Sequence, residues 1–443
     1  MGWHRALRRA IARALTLGAF LAGIWAPSLA LGQVNDINNE GLALIPLYIL
    51  DNNSTDVSDL YVYIHGIVTK TTTGGLPPNT AVYVSDLDGN VRKTPKIASP
   101  SGELALNLGS CKGTGDICGL WLPKMIAIRI YVSRGTPLKV VGEAGSLPDP
   151  LGLGWNPAGA NYNTIFDWAE LTWVDIPNVY NPPAPRTNLG GNVTQVDMFG
   201  MPMYLSMNGT DPATSNTNVT FNAGYTVNRP TIINPFQSAG PPWSNLILSN
   251  GSTRLRVIAP YHAMEAQLNL FPTTFLDSYI NQVWTFYATN QATAHASCSN
   301  DGGIDHTYTG QTAGGFFVFR ESGQPKFQFP KPTTLTVFKN EIHPVPTPTV
   351  DGDECRAGVV AAALGGALMR TSAITNTNFG YPNGCDASKY YVTAPVNVYA
   401  QIFHQLGVDN KAYAFGYDDT CSQSSYIGVD DPQFLAITLG GVP

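Results

Sequence analysis

Charge is scarce in this chain: Asp, Glu, Lys and Arg make up 13% of 443 residues, and acids outnumber bases by 31 to 25. A protein that grips phosphate backbones needs a basic surface, so this balance excludes nucleic acid as a partner. Cysteine is sparse too, with six residues and no Cys-x-x-Cys spacing. The seven histidines form no His-Glu-x-x-His motif, so neither a metal nor another cofactor is expected. A Gly-x-Ser-x-Gly elbow and a Walker loop are both missing, which removes the commonest serine-hydrolase and nucleotide readings. Outside the first 32 residues no stretch approaches the roughly 20 apolar residues of a membrane span.

Those first 32 residues hold four arginines, no acid, an apolar run from Ala14 to Trp25, and a small-residue end at Ala30-Leu31-Gly32. That pattern predicts a secretory signal peptide over 1–32, cut near Gln33, and Pro27 after a short run argues against a membrane anchor. Without the leader, 21 basic residues face 31 acidic ones, a formal charge of −10. Glycine and proline are plentiful, at 44 and 33, the composition of a loop-rich extracellular β protein. An even cysteine count in an exported chain favours disulfides. Cys111 and Cys118 would close a Gly-rich loop, while Cys298, Cys355, Cys385 and Cys421 leave three connectivities open.

Two β-rich runs between Leu42 and Ile67 flank Asp51-Asn52-Asn53-Ser54, a hairpin signal, and short strands continue through AVYVSDLDGNV and MIAIRIYVS. Helical periodicity comes later. Phe275, Leu276, Tyr279, Ile280, Val283, Trp284 and Tyr287 share one face, a second helix runs from Cys355 to Arg370, and a third begins at Pro395 and stops at Gly407. The segments KAYAFGY and FLAITLG then return to strand character. This order predicts a mainly β protein: a β-rich lobe over 33–235 carrying the functional strands, a mixed α/β lobe over 236–394, and a closing helix and strands over 395–443.

Two acids stand out. In FDWAELTW, residues 166–173, strand alternation puts Phe166, Trp168, Glu170 and Thr172 on one face, with Asp167 and Trp173 on the other. A Pro-rich stretch from Val174 to Gly191 reads as a loop, and NVTQVDMFGMP, residues 192–202, resumes strand character around Asp197. Pairing Val174 with Gly191 would set Glu170 opposite Gln195 and place Asp197 on the same face, about 8 Å away diagonally. A one-residue slip would part the two acids. A carboxyl separation of roughly 6.5–9.5 Å suits inverting glycoside hydrolysis, in which one carboxylic acid protonates the leaving oxygen and one carboxylate activates water. Glu170, with Phe166 and Trp168 beside it, suits the acid, and Asp197 suits the base. Taken alone, exposed strand carboxylates are common and most do no chemistry. Trp168 and Trp173 are candidate sugar platforms, although most tryptophans in β proteins fill core.

At this point the chain resembles glycoside hydrolase family 64, β-1,3-glucanases of thaumatin-like architecture. The segments that carry the resemblance are LYILDNNSTDVSDLYVYIHG, FDWAELTW, NVTQVDMFGMP, FPTTFLDSYINQVWTFYA, NVYAQIFHQ and KAYAFGYDD, spread over most of the mature chain. The resemblance implies a two-lobe fold in which a β barrel or sandwich lobe and a mixed α/β lobe flank a wide groove. It implies Glu170 as general acid, Asp197 as general base, Thr172 and Thr194 along the cleft, inversion at the anomeric carbon, and short laminari-oligosaccharide products from β-1,3-glucan. The 174–191 connection is longer than the family's usual one, which bears on product length. Leu171 stands where an aromatic is more usual.

Asp418 and Asp419 in GYDDTCSQSS are rival carboxylates that either contact sugar hydroxyls or bond nearby backbone amides in a turn, the turn being favoured two to one. Asn397 and His404, seven apart, read as a buried hydrogen-bonded pair. His262-Ala-Met-Glu265 is half of a metal motif and reads as chance. Asn-x-Ser/Thr sequons occur at Asn52, Asn53, Asn192, Asn208, Asn218 and Asn250, and a glycan at Asn192 would crowd the site. The sequence therefore points to a secreted, monomeric β-1,3-glucanase. The rivals are a non-catalytic thaumatin-like β-glucan-binding protein and, more remotely, a structural protein of the cell wall.

Overall fold

Twelve strands form the main sheet of the computed structural model, which describes residues 37–440 apart from 53–56, 94–96, 102–103, 111–116, 143–145, 148–149, 151–153, 177–185, 266–267, 299–302, 346–353 and 381–383. They are β1 Leu44–Asp51, β2 Leu60–Val68, β3 Thr80–Val84, β4 Val91–Lys93, β5 Leu106–Asn107, β6 Ile117–Pro123, β7 Ile126–Arg134, β8 Ile165–Ile176, β9 Arg186–Val193, β10 Met203–Thr210, β11 Val219–Gly224 and β12 Ile427–Leu439. The order is β11-β10-β12-β9-β8-β7-β2-β3-β4, with β1 pairing β12 and β6, and β5 adding to β2. The sheet curls into a nearly closed barrel. Val, Ile, Leu and Tyr dominate these runs because branched and aromatic side chains pack well on a pleated surface. Leu60, Val62, Ile64, Ile128, Ile130, Val132, Leu435 and Ile437 are all buried.

The hairpin expected after Leu42 does not form. β1 pairs in parallel with β12, Leu47 opposite Leu435, and antiparallel with β6, Leu44 opposite Pro123, while β2 pairs with β3, β5 and β7. Burial of Leu47 and Ile49 between two distant strands outweighs a local turn signal, part of which lies outside the described residues. The stretch 174–191, read as one long loop, is strand at both ends, since β8 runs to Ile176 and β9 starts at Arg186. Only 177–185 connects them, and it lies outside the described residues.

A three-stranded sheet joins Met198–Phe199, which lies between β9 and β10, to Thr253–Ile258 and Ile247–Asn250, and between β11 and β12 the chain also builds a five-stranded sheet and several helices. Among these are α1 Arg229–Ala239, α2 Pro260–Ala263, α3 Asp277–Phe286, α4 Glu354–Met369 and α5 Val398–Leu406. Sequence periodicity locates α3, α4 and α5. Asn397 rather than Pro395 starts α5, its side chain accepting from the Ala400 amide, and Gly407 ends it. Helix α1 was hidden by its prolines, but Pro230 falls in the first turn, where a missing N–H costs nothing, and Asn228 caps that end. KAYAFGY is coil, not strand: its polar groups are taken by side chains and by distant backbone, as with the Ala414 amide on Asp418 and the Tyr413 carbonyl on the Gln195 amide.

Disulfides join Cys298 to Cys355 and Cys385 to Cys421, which resolves the open connectivity. The proposed partner Cys111 lies outside the described residues. No helix among the described residues is long and apolar enough to cross a membrane.

Candidate active site

Strand β8 supplies the first carboxylate. Its odd-numbered face, Asp167, Ala169, Leu171 and Trp173, is core, whereas the other face is covered at Phe166 and Trp168 and opens at Glu170 and Thr172. That division agrees with the alternation read from the sequence. A cleft of about 550 Å³ opens there, lined by His65, Arg129, Glu170, Thr172, Asn192 and Tyr426 among others. Cross-strand pairing explains the lining: His65 lies opposite Arg129, Arg129 opposite Glu170, and Glu170 opposite Asn192, one transverse row over β2, β7, β8 and β9.

An ion pair and a hydrogen bond steady Glu170 through a single oxygen. Arg129 Nε lies 3.1 Å from Oε1, and Trp168 Nε1 donates to the same atom at 3.2 Å. Among the described residues Oε2 has no hydrogen-bond partner. His65 is kept neutral, its imidazole pushed down to about 3 by burial first and by the Arg129 charge second.

Asp197 is positioned in a different way. Val174 pairs with Asn188 rather than Gly191, a shift of three residues, so Glu170 faces Asn192 and not Gln195. An odd shift reverses parity and would have separated the acids had Asp197 continued the strand. It does not, because β9 ends at Val193 and the chain crosses over 194–197 into the three-stranded sheet.

The crossover is pinned at nearly every step. Ser425 Oγ donates to the Val193 carbonyl, Tyr399 OH to the Gln195 carbonyl, Tyr225 OH to Gln195 Oε1, and the Ala259 amide to the Asp197 carbonyl. At its exit, the Gly200 and Met201 amides donate to Oδ2 of Asp167 on β8, at 2.8 and 3.0 Å. Gly200 is required because a Cβ there would run into the Phe166 backbone.

Helix α2 steadies the Asp197 side chain. Tyr261 OH donates to Oδ1, and His262 Nε2 lies 2.9 Å from the same oxygen. Burial by itself pushes this carboxyl up, but the bonds from His262 and Tyr261, with the charges of His262 and Arg129, outweigh it and hold Asp197 below the usual carboxylate range. Oδ2 has no hydrogen-bond partner among the described residues. Arg129 is thus close enough to act on both carboxylates.

Other expected residues separate into cleft and core. Thr172 is exposed in the cleft, but Thr194 is buried, its Oγ1 accepting from the Val196 amide at 3.3 Å. Trp168 and Trp173 are buried, which corrects the platform role, since neither ring offers a face to a sugar. Trp168 instead steadies Glu170. Asp418 is fully buried between Arg370, at 3.0 Å, and His404, at 2.9 Å, and accepts from the Ala414 amide, so it organises core rather than contacting ligand. Asp419 is exposed beside Tyr413, whose hydroxyl is pushed up to about 12 by burial and then by Asp419, Glu170 and Asp418. Asn397 and His404 are both buried and bonded, though to Ala400 and Asp418 rather than to each other.

Sequence reasoning missed Arg129, Tyr261, His262 and Tyr426. Arg129 had a signal, as the lone charge inside the apolar run MIAIRIYVS. His262 was set aside because its spacing fits no metal, and no cluster of three or more His, Cys, Asp or Glu fit to hold one occurs among the described residues. Its work is with Asp197 instead.

The fold and site together define a β-barrel protein with Glu170 in an open cleft and Asp197 close enough to feel the charge of the same Arg129. The beta-1,3-glucanase family model, glycoside hydrolase family 64, matches residues 45–439, and the chain belongs to that family. Curated relatives include glucan endo-1,3-beta-glucosidases of Arthrobacter sp. (strain YCWD3) and Cellulosimicrobium cellulans, each 30% identical over 325 residues, 72% of this chain and 53% of the relative. The chain thus spans about half the length of the curated relatives it matches. A laminaripentaose-producing beta-1,3-glucanase solved in complex with laminaritetraose shares the fold at TM-score 0.69 and 24% identity, over 90% of this chain and 98% of that one. A beta-1,3-glucanase domain from Clostridium beijerinckii does so at TM-score 0.65 and 23% identity, with the same coverage.

Proposed function

We propose that this protein is a secreted, monomeric endo-β-1,3-glucanase that cuts laminarin- or curdlan-like glucan into short oligosaccharides with inversion. Family membership supports the substrate class, and one feature of the site carries the chemistry: Glu170 is held on Oε1 by an ion pair with Arg129 and a hydrogen bond from Trp168, Asp197 is held on Oδ1 by Tyr261 and His262, and each keeps its other oxygen free. Glu170 Oε2 then carries the proton given to the departing glycosidic oxygen. Asp197 Oδ2 takes the proton of the attacking water, and its lowered proton affinity keeps it ionised for that task. Thr172 on the acid's face, and Asp419 beside Tyr413, are within this reading as hydroxyl contacts. The thaumatin-like description of the two lobes belongs to the same proposal, supported by the barrel sheet and the mixed segment that follows it.

One observation favours the binding-only alternative. Arg129 is ion-paired, through Oε1, with the carboxyl group that must hold a proton, and a permanently ionised glutamate would bind glucan without cutting it. Incubation with linear β-1,3-glucan, followed by product size and anomeric form, decides the matter. Oligosaccharides of inverted configuration from wild type, absent from Glu170→Gln and Asp197→Asn, are expected. Binding without products across the pH range would leave the alternative.

A further inference from the structure

Tyr426 is 56% exposed, among the few large apolar side chains left in water, and it borders the same cleft as Glu170 and Thr172. It immediately precedes β12. Two glycines paired across β9 and β12, Gly190 and Gly428, lie beneath it. A Cβ at Gly190 would come within 2.6 Å of the Tyr426 Cζ, and one at Gly428 would touch the hydroxyl at 3.4 Å. The phenol therefore rests on bare backbone at Gly190, a seat that a side chain there would fill, while at Gly428 it has ordinary contact. Glycines inside a sheet weaken it, through chain entropy and lost packing. Covering them would explain a ring there, but a ring placed only for cover would not need to border the cleft.

We infer that Tyr426 is a specificity-determining platform on which one glucosyl ring stacks beside the bond being cut. The register supports the placement. Gly190 lies opposite Thr172, two residues along β8 from Glu170, so the seat is roughly 8 Å from the acid by strand spacing and rise. That is beside the reacting bond and not at it. The neutral, hydroxyl-rich ligand proposed above presents apolar C–H faces suited to an aromatic surface. On β8 the buried Trp168 and Trp173 are unavailable, which leaves Tyr426 as the exposed large aromatic among the described residues lining the cleft.

This inference rests on the β-1,3-glucanase reading, and the test keeps the two apart. Laminari-oligosaccharide binding is measured on a Glu170→Gln background, and kcat, KM and product length on the otherwise wild-type chain, for Tyr426→Ala, Tyr426→Phe and Tyr426→Trp. Tyr426→Ala is expected to weaken binding and raise KM roughly tenfold with kcat nearly unchanged, while Phe and Trp restore both. Product lengths should shift in Ala alone. Unchanged KM and products in Tyr426→Ala, or an equal loss in Phe, would overturn the platform while leaving the glucanase reading intact. If wild type neither binds nor cuts β-1,3-glucan, the underlying reading fails first. Thermal unfolding of each variant identifies any loss that comes only from uncovering the glycines.

Discussion

Glu170 stands inside a twelve-residue strand paired on both sides, whereas Asp197 stands on a crossover between two sheets and belongs to no strand. The strand fixes Glu170 through ladder geometry, so its direction follows from parity, and Arg129 and Trp168 reach it from the same face of the barrel. The crossover has no ladder, and Asp197 is fixed instead by tyrosine and histidine side chains from residues far along the chain. A register-based site tolerates sequence change as long as the pattern alternates. A crossover-based site depends on each of its separate ties.

Removing the working oxygens should give the largest effects. Glu170→Gln and Asp197→Asn are each expected to lower kcat by about 10²- to 10⁴-fold with the fold retained, read by reducing-end release and circular dichroism. A variant that loses less than tenfold would strike that residue from the mechanism.

Asp167 tests the tie between the two regions, since it projects from the acid's strand and holds the exit of the base's crossover. Burial pushes its carboxyl up to about 7, against the pull of the Gly200, Met201 and Trp168 amides and the Arg256 charge. A raised value means the folded state binds more protons than the unfolded one between about pH 4 and pH 7, so stability falls as pH rises through that window, by up to about 4 kcal/mol. Asp167→Asn removes the titration and should flatten the curve of unfolding free energy against pH. If urea unfolding from pH 4.5 to 8 shows equal slopes in both proteins, Asp167 is ionised throughout and the tie is a fixed charge.

The two anchors should also separate in pH. Tyr261→Phe withdraws a donor from Asp197 and none from Glu170. With burial less opposed, the Asp197 carboxyl rises and the acid limb of kcat/KM moves to higher pH. The stability that its depressed value contributes is present at neutral pH and lost as pH falls through that value, so the variant should lose part of it. His262→Ala should act in the same direction. An acid limb that does not move in either variant would mean that another group sets it.

The barrel strands and three of the helices were legible because their signals are local and periodic: Phe275 to Tyr287 marks a helix whatever surrounds it, and FDWAELTW sorts its own faces. The partners of β1 were not legible, because pairing of Leu47 with Leu435 is decided by burial across most of the chain. Asp197 could be named as half of a pair, but the geometry first assigned to it was of the wrong kind. Nothing in VTQVD says that the strand stops at Val193, since the stop is imposed by Ser425, Tyr399 and Tyr225. Tyr261 and His262 were illegible for the same reason, being brought to Asp197 by the second sheet and not by spacing.

The smallest effects separate two threonines that motif likeness treats alike. Thr172 stands in the open on the strand side, and Thr194 is buried at the start of the crossover. Valine at 172 removes a hydroxyl that faces the cleft, so KM should rise a few-fold while thermal stability holds. Valine at 194 keeps the volume but strips the half-buried Val196 amide of its acceptor, a loss of about 1 kcal/mol. Stability should therefore fall while KM changes only as far as Asp197 shifts. A KM effect at 194 as large as at 172, without loss of stability, would bring the Thr194 hydroxyl back into the cleft and undo the distinction between strand and crossover on which the site has been built.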